Sequence, residues 1–420
     1  MDVFERDLFT DPELIQDPAA YYAELRLRGR VVREPHHGVF LVSGLEEILG
    51  IYGDLDCFSS VVAPLGPFVQ LPEVPPGETL ADVVSRGRHE IPLSDLLPAL
   101  DPPEHTRHRA LLKKLFTPNR LEQNEDFMGI LADRMIDELA DLDTVEFCSA
   151  YAGPFTMLVI ADLLGVPPED HATLVGWLQG DDDQKNLAGT PRANQSGGEV
   201  LARLYPYFTR YIEARRTAPR DDVMTRLATV RFPDGELPEV ADVVRLAVIL
   251  FAAGQETTAR LLASGMRILA ERPSLADELR AQPQAIANFT EECLRFESPI
   301  KGSFRLALQD IQIAGVDVPV GSILMLMNAA ANRDPRVFKD GERFDPKRSN
   351  ARRNIGFGHG EHFCPGASLA RTEARISFER LLARLDDLQL VDPRALAYAP
   401  SFLIRGLETL PLRFRRRAQS

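Results

Sequence analysis

Hydrophobic and polar positions along this chain change period several times, and each change marks an element. Pro18 to Arg28 has amphipathic helical spacing. Val31-Val32 and Val39 to Val42 flank Pro35-His36-His37-Gly38, which predicts a hairpin. Val61 to Pro103 carries nine prolines, which limits regular structure there. From His105 onward helical spacing dominates. Asp126 to Ala140 is amphipathic, Pro154 to Leu164 is apolar, and Glu199 to Arg216 places Tyr205, Phe208 and Ile212 on one helix face. Between them, Gly180 to Gly198 is polar, contains Asp181-Asp182-Asp183, and reads as a mobile connection between two helices. The longest predicted helix is Pro238 to Arg272, ended by Pro273. About 30 residues at a rise of about 1.5 Å cross about 45 Å, the width of a domain. Its middle, Leu246 to Ala253, is apolar on every side, which predicts a helix buried all round. Ile311 to Asn328 reads as a β meander, and Leu388 to Phe414 as a last strand-rich stretch. The pattern is that of a mainly α protein with small β-sheets, without internal repeats or a linker between two self-sufficient cores.

Composition narrows the function classes. The chain has 420 residues, 45% apolar and 26% charged, which is ordinary for a globular protein and argues against disorder. Length alone suggests two or three domains of roughly 150 residues. The 48 basic and 62 acidic side chains leave a net charge of −14, which counts against nucleic acid as the main partner. The longest apolar run, Leu246 to Gly254, is far short of the about 20 residues of a spanning helix. The N-terminal M-D-V-F-E-R-D-L-F-T-D-P-E is charged throughout, unlike a signal peptide. The expectation is a cytoplasmic monomer without a membrane anchor. Cys57, Cys148, Cys293 and Cys364 lie far apart, which argues against a disulfide scaffold.

The densest chemical signal is Ile355 to Arg371, I-G-F-G-H-G-E-H-F-C-P-G-A-S-L-A-R. Gly358 and Gly360 precede Cys364, Pro365 and Gly366 follow it, and Ala367 to Arg380 reads as a helix. A cysteine in such a loop has backbone N–H groups nearby that stabilise a thiolate, and a thiolate so held can ligate a metal. Other readings of the same residues are a buried structural cysteine, a zinc cluster of His359, His362 and Cys364 that lacks an obvious fourth ligand, and a nucleophilic cysteine with a histidine base.

F-G-H-G-E-H-F-C-P-G resembles the haem-binding loop of the cytochrome P-450 family. The resemblance extends over nearly the whole chain. Glu292-Cys293-Leu294-Arg295 is similar to the family's E-x-x-R pair, with Arg343 as the expected meander arginine. Ala253-Gly254-Gln255-Glu256-Thr257-Thr258 resembles the oxygen-side segment of its long helix, and Asp101 to Arg109 its propionate-binding helix. The resemblance implies one haem-binding domain over residues 1–420, with residues 352–371 as the haem-thiolate loop and following helix. It implies haem b (iron protoporphyrin IX) with Cys364 as its axial thiolate, which favours O–O cleavage. Phe357 would pack against the haem, and Gly358 would leave room for it. His105, Arg109, Arg305 and His359 would meet the propionates, while Glu256 and Thr257 would form the acid–alcohol pair of a proton relay.

The same resemblance assigns a pocket to Ile249, Ala252 and Ala253, to Lys301 and Ser303, and to Leu403 and Ile404. Most of these are apolar, which favours a hydrophobic substrate. Lys301 would meet a substrate carboxylate or point away. Residues 61–103 and 165–220 would form the lid. No reductase module is evident, so electrons would come from separate proteins. Lys113, Lys114, Lys347, Arg348, Arg352, Arg353, Arg371 and Arg375 would make a basic face for an acidic ferredoxin. The implied activity is ferredoxin-dependent monooxygenation of a terpenoid, steroid or fatty-acid-like molecule with O₂. A peroxide-driven peroxygenase and a non-catalytic haem-binding sensor are the alternatives.

Overall fold

The computed structural model describes residues 2–179 and 193–417. The chain forms two compact units: Met1–Ala110 with Ile300–Arg343 and Asn354–Cys364, and Leu111–Pro299 with Phe344–Arg353 and Pro365–Ser420.

The first unit is organised on a five-stranded sheet. Val31–Arg33 and Phe40–Val42 form the expected hairpin, paired antiparallel from Val31 with Val42 to Arg33 with Phe40. The buried Glu34 carboxylate ties the turn together by accepting the N–H groups of His36 (2.7 Å), His37 (2.6 Å) and Val39 (3.0 Å). Phe40–Val42 then runs parallel to Ile323–Leu326, which pairs antiparallel with Ser303–Ala307, and Phe58–Ser59 closes the far edge. This breaks the expected meander. Ile311–Ile313 pairs only with Val316–Val318, while Ile323–Leu326 leaves for the larger sheet. The reason lies in the run I-L-M-L, whose last three side chains are all buried. A strand apolar on both faces belongs in the middle of a covered sheet. The proline-rich 61–103 segment also holds more regular structure than its composition suggests. Helix Leu80–Gly87 starts on a capping box between Thr79 and Asp82.

The second unit is helical. Val240–Glu271 is its axis and packs against Gly153–Leu164, Ala193–Thr217 and Ala367–Arg384. Helix Ala193–Thr217 begins earlier than the expected Glu199, and residues 180–192 of the expected connection lie outside the described residues. Pro411–Arg416 pairs antiparallel with both Val145–Glu146 and Leu385–Leu390, which confirms the late strand-rich stretch.

The E-x-x-R pair lies at the centre of this unit with no solvent exposure. Arg295 donates to Glu292 from Nε and Nη2, each at 2.7 Å. The Asp345 amide donates to the same carboxylate at 2.8 Å, and Arg348 Nε at 3.2 Å. The arginine that joins the pair is therefore Arg348, which is buried, and not Arg343, which is exposed. Both follow Gly341 closely in sequence, and spacing alone does not separate them.

Candidate haem site

In the first unit, the loop around Cys364 is built by backbone bonds. Ile355 N–H donates to Asn332 Oδ1 (2.8 Å), Gly358 N–H to the Ile355 carbonyl (3.0 Å), and Cys364 N–H to the Phe357 carbonyl (2.9 Å). Gly358 and Gly360 have φ of +71° and +68°, a region that glycine alone enters without strain. A β-carbon at Gly360 would also stand 2.9 Å from the Tyr52 carbonyl oxygen. The loop thereby presents Phe357 and Cys364 half-buried, and Cys364 is in no disulfide.

A cationic cluster lies in the same unit. His105 is buried at the start of helix Glu104–Leu115, with Nδ1 3.2 Å from Glu361. Its ring centroid is 4.0 Å from that of His362, whose Nε2 is 3.0 Å from Ser60 Oγ. Arg305 is 2% exposed and donates only to neutral acceptors, Ser303 Oγ at 2.9 Å and the Phe304 carbonyl at 2.7 Å. Arg109, one turn after His105, donates to the Phe363 carbonyl. Burial, then Arg305, His105 and Arg109, hold His362 down at about 2. Burial lowers His105 against the pull of Glu361, and burial lowers Arg305 and Arg109 as well.

Among the described residues, no carboxylate lies within ion-pair distance of Arg109 or Arg305, and Glu361 alone pairs with His105. Buried cations without counter-ions are costly, and the cluster therefore has the chemistry of an anion seat. The two propionates of a haem supply two carboxylates. The thiol of Cys364 supplies a soft ligand on the same loop. The residues present thus fit a haem. The zinc reading of His359, His362 and Cys364 fares differently. Among the described residues, no group of three His, Cys, Asp or Glu side chains is placed to hold a bare metal ion.

The sequence reasoning placed His359 with the propionate partners. The structure leaves His359 exposed, outside the cluster, and puts His362 there instead. The signal was available, because His362 stands two residues before Cys364 on the loop that His105 faces. Lys301 is 3% exposed, and its Nζ donates to the Ile15 carbonyl at 3.2 Å. Ser303 is half-buried and accepts from Arg305.

In the second unit, the long helix is not buried all round. Ile249, Ala252, Glu256 and Thr257 are half-buried and Ala253 is exposed, while Leu250, Phe251, Gln255 and Thr258 are buried. The accessible positions recur every three to four residues and share one face. The apolar run concealed this face because Ala and Ile fit a covered surface equally well. Glu256 lies at the end of this face, where Arg260 Nη2 holds its Oε1 at 3.3 Å. Arg260 donates in turn to the Leu407 carbonyl. Thr257 Oγ1 donates to the Ala253 carbonyl at 2.9 Å, the i−4 bond that threonine commonly makes in helices. Thr156, from the neighbouring helix, donates to the Gln255 carbonyl at 2.9 Å. Near Leu407, Leu403 is half-buried and Ile404 is 7% exposed. Arg260 was missed from sequence, although its i+4 spacing from Glu256 is a usable signal.

The expected basic face is thinner than the residue count suggests. Arg348 is taken by Glu292, Arg371 by the buried Glu291 (2.6 Å), Lys347 by Glu278 (2.8 Å), and Arg375 by Glu125 and Glu379. Lys114 donates to the Arg231 carbonyl at 2.6 Å. Arg352 is 82% exposed and only 3.7 Å from Glu291. It lines a recess of about 400 Å³ with Asn288, Glu291, Arg371 and Arg375.

Residues 220–394 match the family model for cytochrome P450. The chain is 33% identical over 411 residues to cytochrome P450 144 of Mycobacterium tuberculosis, covering 97% of this chain and 91% of that relative. It is 35% identical over 320 residues to the vitamin D(3) 25-hydroxylase of Pseudonocardia autotrophica, covering 74% and 76%. The structure of Mycobacterium marinum cytochrome P450 CYP150A6 in its substrate-free form superposes with a TM-score of 0.90 at 43% identity, covering 99% of this chain and all of that one. Among the described residues no helix is long and apolar enough to cross a membrane. The chain belongs to the cytochrome P450 family, monooxygenases that bind haem through a cysteine thiolate.

Proposed function

We propose that this protein hydroxylates a hydrophobic small molecule, with Cys364 as the haem ligand and electrons from a ferredoxin system. The observation that carries the reading is the buried cluster of His105, Arg109, Arg305 and His362, which has more positive than negative charge and adjoins the Cys364 loop. When bound, the haem supplies the oxygen-activating chemistry. Arg109 and Arg305, together with the imidazoles of His105 and His362, would take its propionates, and Phe357 and Gly358 would shape the wall beside the sulfur.

On the long helix, Arg260 orients Glu256, whose carboxylate takes protons from solvent and passes them on toward Thr257. Thr257 then exchanges its bond to the Ala253 carbonyl for one to the reacting group. Ile249, Ala252 and Ala253 form the apolar floor on the same face, and Leu403 and Ile404 add to it. Lys301, committed to Ile15, is left out of substrate recognition. An apolar substrate agrees with these side chains and with the relative named for vitamin D(3), a largely hydrocarbon molecule.

Arg352, with neighbouring exposed Arg353, gives an acidic ferredoxin its charge contact. Spin-state titration against a panel of terpenoids, steroids and fatty acids identifies the substrate. Product formed with a ferredoxin and its reductase supports the reading. Product with peroxide alone, and none with the ferredoxin system, refutes it.

A further inference from the structure

In the first unit, the backbone between Gly87 and Asp101 holds only two three-residue helical turns, Arg88–Glu90 and Leu97–Ala99, so regular structure does little to fix its course. Arg88 does it instead. Its Nη1 donates to the Ser94 carbonyl at 2.9 Å and to the Ala99 carbonyl at 2.6 Å, and its Nη2 donates to Asp101 Oδ2 at 2.6 Å. Ser94 Oγ returns a bond to the Arg88 carbonyl at 2.6 Å. Ser94 and Ala99 are buried, whereas Arg86, His89 and Glu90 beside Arg88 are exposed. The segment is therefore wrapped around one half-buried guanidinium. Leu93, inside the wrap, has a φ of +61°, a conformation that leucine keeps only where its surroundings enforce it.

The same carboxylate leads to the haem seat. Asp101 accepts the Ser59 hydroxyl at Oδ2 (2.5 Å) and the Ser60 amide at Oδ1 (2.7 Å), and both serines are buried. Ser60 Oγ lies 3.0 Å from His362 Nε2, and the His362 ring lies against that of His105. Arg88 thus reaches the propionate cluster through two residues, Asp101 and Ser60, without belonging to it. A simple ion pair would not call for this set. A lysine would bring the same charge to Asp101, but three acceptors shared between two nitrogens match the planar fork of a guanidinium.

We propose that Arg88 is a positioning residue for the haem. Its guanidinium is a built-in cation that orders segment 88–101, and through Asp101 it fixes Ser60 against His362. Without it, two carbonyls of buried residues lose their donor and Asp101 loses the contact that orients it toward Ser60. Order in the segment and retention of the haem therefore rise and fall together. The inference rests on the haem reading of the Cys364 site.

Two measurements on the haem-loaded protein test it: haem loss to apomyoglobin, and hydrogen exchange of residues 88–101. Arg88→Ala should lose haem about threefold faster or more and exchange the segment faster. Guanidinium ion, kept far below denaturing concentration, should slow both in Arg88→Ala and change neither in wild type, a rescue that a general loss of stability would not show. Arg88→Lys, the milder change, should fall between wild type and Arg88→Ala. Asp101→Asn should also lose haem faster, and adding Arg88→Ala to it should change the rate little further, because the two residues act in series. Haem loss from Arg88→Ala or Arg88→Lys equal to that of wild type overturns the inference. So does a defect that guanidinium leaves untouched, or a double variant in which the two single effects multiply. Wild-type protein that takes up no haem would instead count against the reading of the Cys364 site.

Discussion

Replacing Arg348 and Arg343 separately by alanine gives a matched pair of perturbations five residues apart. In the structure, Arg348 is buried and its Nε lies 3.2 Å from the Glu292 carboxylate, whereas Arg343 is exposed. Arg348→Ala removes one of four donors to Glu292 and leaves Arg295 and the Asp345 amide in place. The carboxylate is not orphaned, so the full cost of an unpaired buried charge, about 3–5 kcal/mol, is not reached. What is lost is one charge-assisted hydrogen bond, worth about 1.5–3 kcal/mol, plus the packing of the arginine stem. An overall cost of about 2–3 kcal/mol is a large fraction of the about 5–15 kcal/mol that stabilises a domain. Arg343→Ala should stay within about 0.5 kcal/mol of wild type, as exposed substitutions do. Urea unfolding of the haem-loaded protein, read by far-ultraviolet circular dichroism, measures both. Arg348→Ala should lower the midpoint clearly without changing the slope. Equal midpoints for Arg348→Ala and wild type, or a larger loss for Arg343→Ala, would refute the network as described.

Arg305→Leu removes a buried guanidinium held only by neutral acceptors; the variant should fold but lose haem to apomyoglobin about tenfold faster than wild type or more, and an unchanged rate would exclude a propionate contact. Thr257→Ala should retain haem and its spectrum while the product formed per NAD(P)H falls several-fold, and unchanged coupling would remove Thr257 from the relay. On helix Ala367–Arg384, Glu373 is 2% exposed, and burial raises its proton affinity in the folded state, so the unfolded chain releases its proton first as pH rises above about 4.5. The folded protein then holds more protons than the unfolded one, and its stability falls by about 1.4 kcal/mol per pH unit until Glu373 itself ionises. Glu373→Gln abolishes this slope. The stability difference between variant and wild type should therefore grow in the variant's favour from pH 4.5 to 6, and a pH-independent difference would contradict a buried neutral acid.

Much of the architecture was legible because its signals are local. The hairpin at Val31 to Val42 announces itself by its turn residues, and the long helix by its periodicity and the proline that ends it. The cysteine loop is legible because Gly358 and Gly360 adopt backbone conformations that other residues avoid. What escaped the sequence depends on partners remote in the chain. Ile323–Leu326 has the pattern of a buried strand, yet nothing local says that it leaves its neighbours for Phe40–Val42. Arg343 and Arg348 differ only in which one the fold turns inward. His359 and His362 lie on the same loop, and the fold distinguishes them by leaving His359 exposed and bringing His362 to Ser60 and to the ring of His105 at 4.0 Å. An apolar helix segment likewise cannot say which of its faces stays accessible, because alanine is indifferent to the choice. All eight of the expected basic-face residues carry charges, but pairing is a property of distance and not of count; Arg371 and Lys347 are already engaged.

The central claim is that Cys364 supplies the thiolate that holds the haem. Its most direct test is the spectrum of the dithionite-reduced carbon monoxide complex of wild type and Cys364→Ser. Wild type should show the strongly red-shifted Soret band of thiolate-ligated haem, and Cys364→Ser should lose that shift while any retained haem absorbs like an oxygen- or nitrogen-ligated one. A red-shifted band that survives in Cys364→Ser would contradict the account.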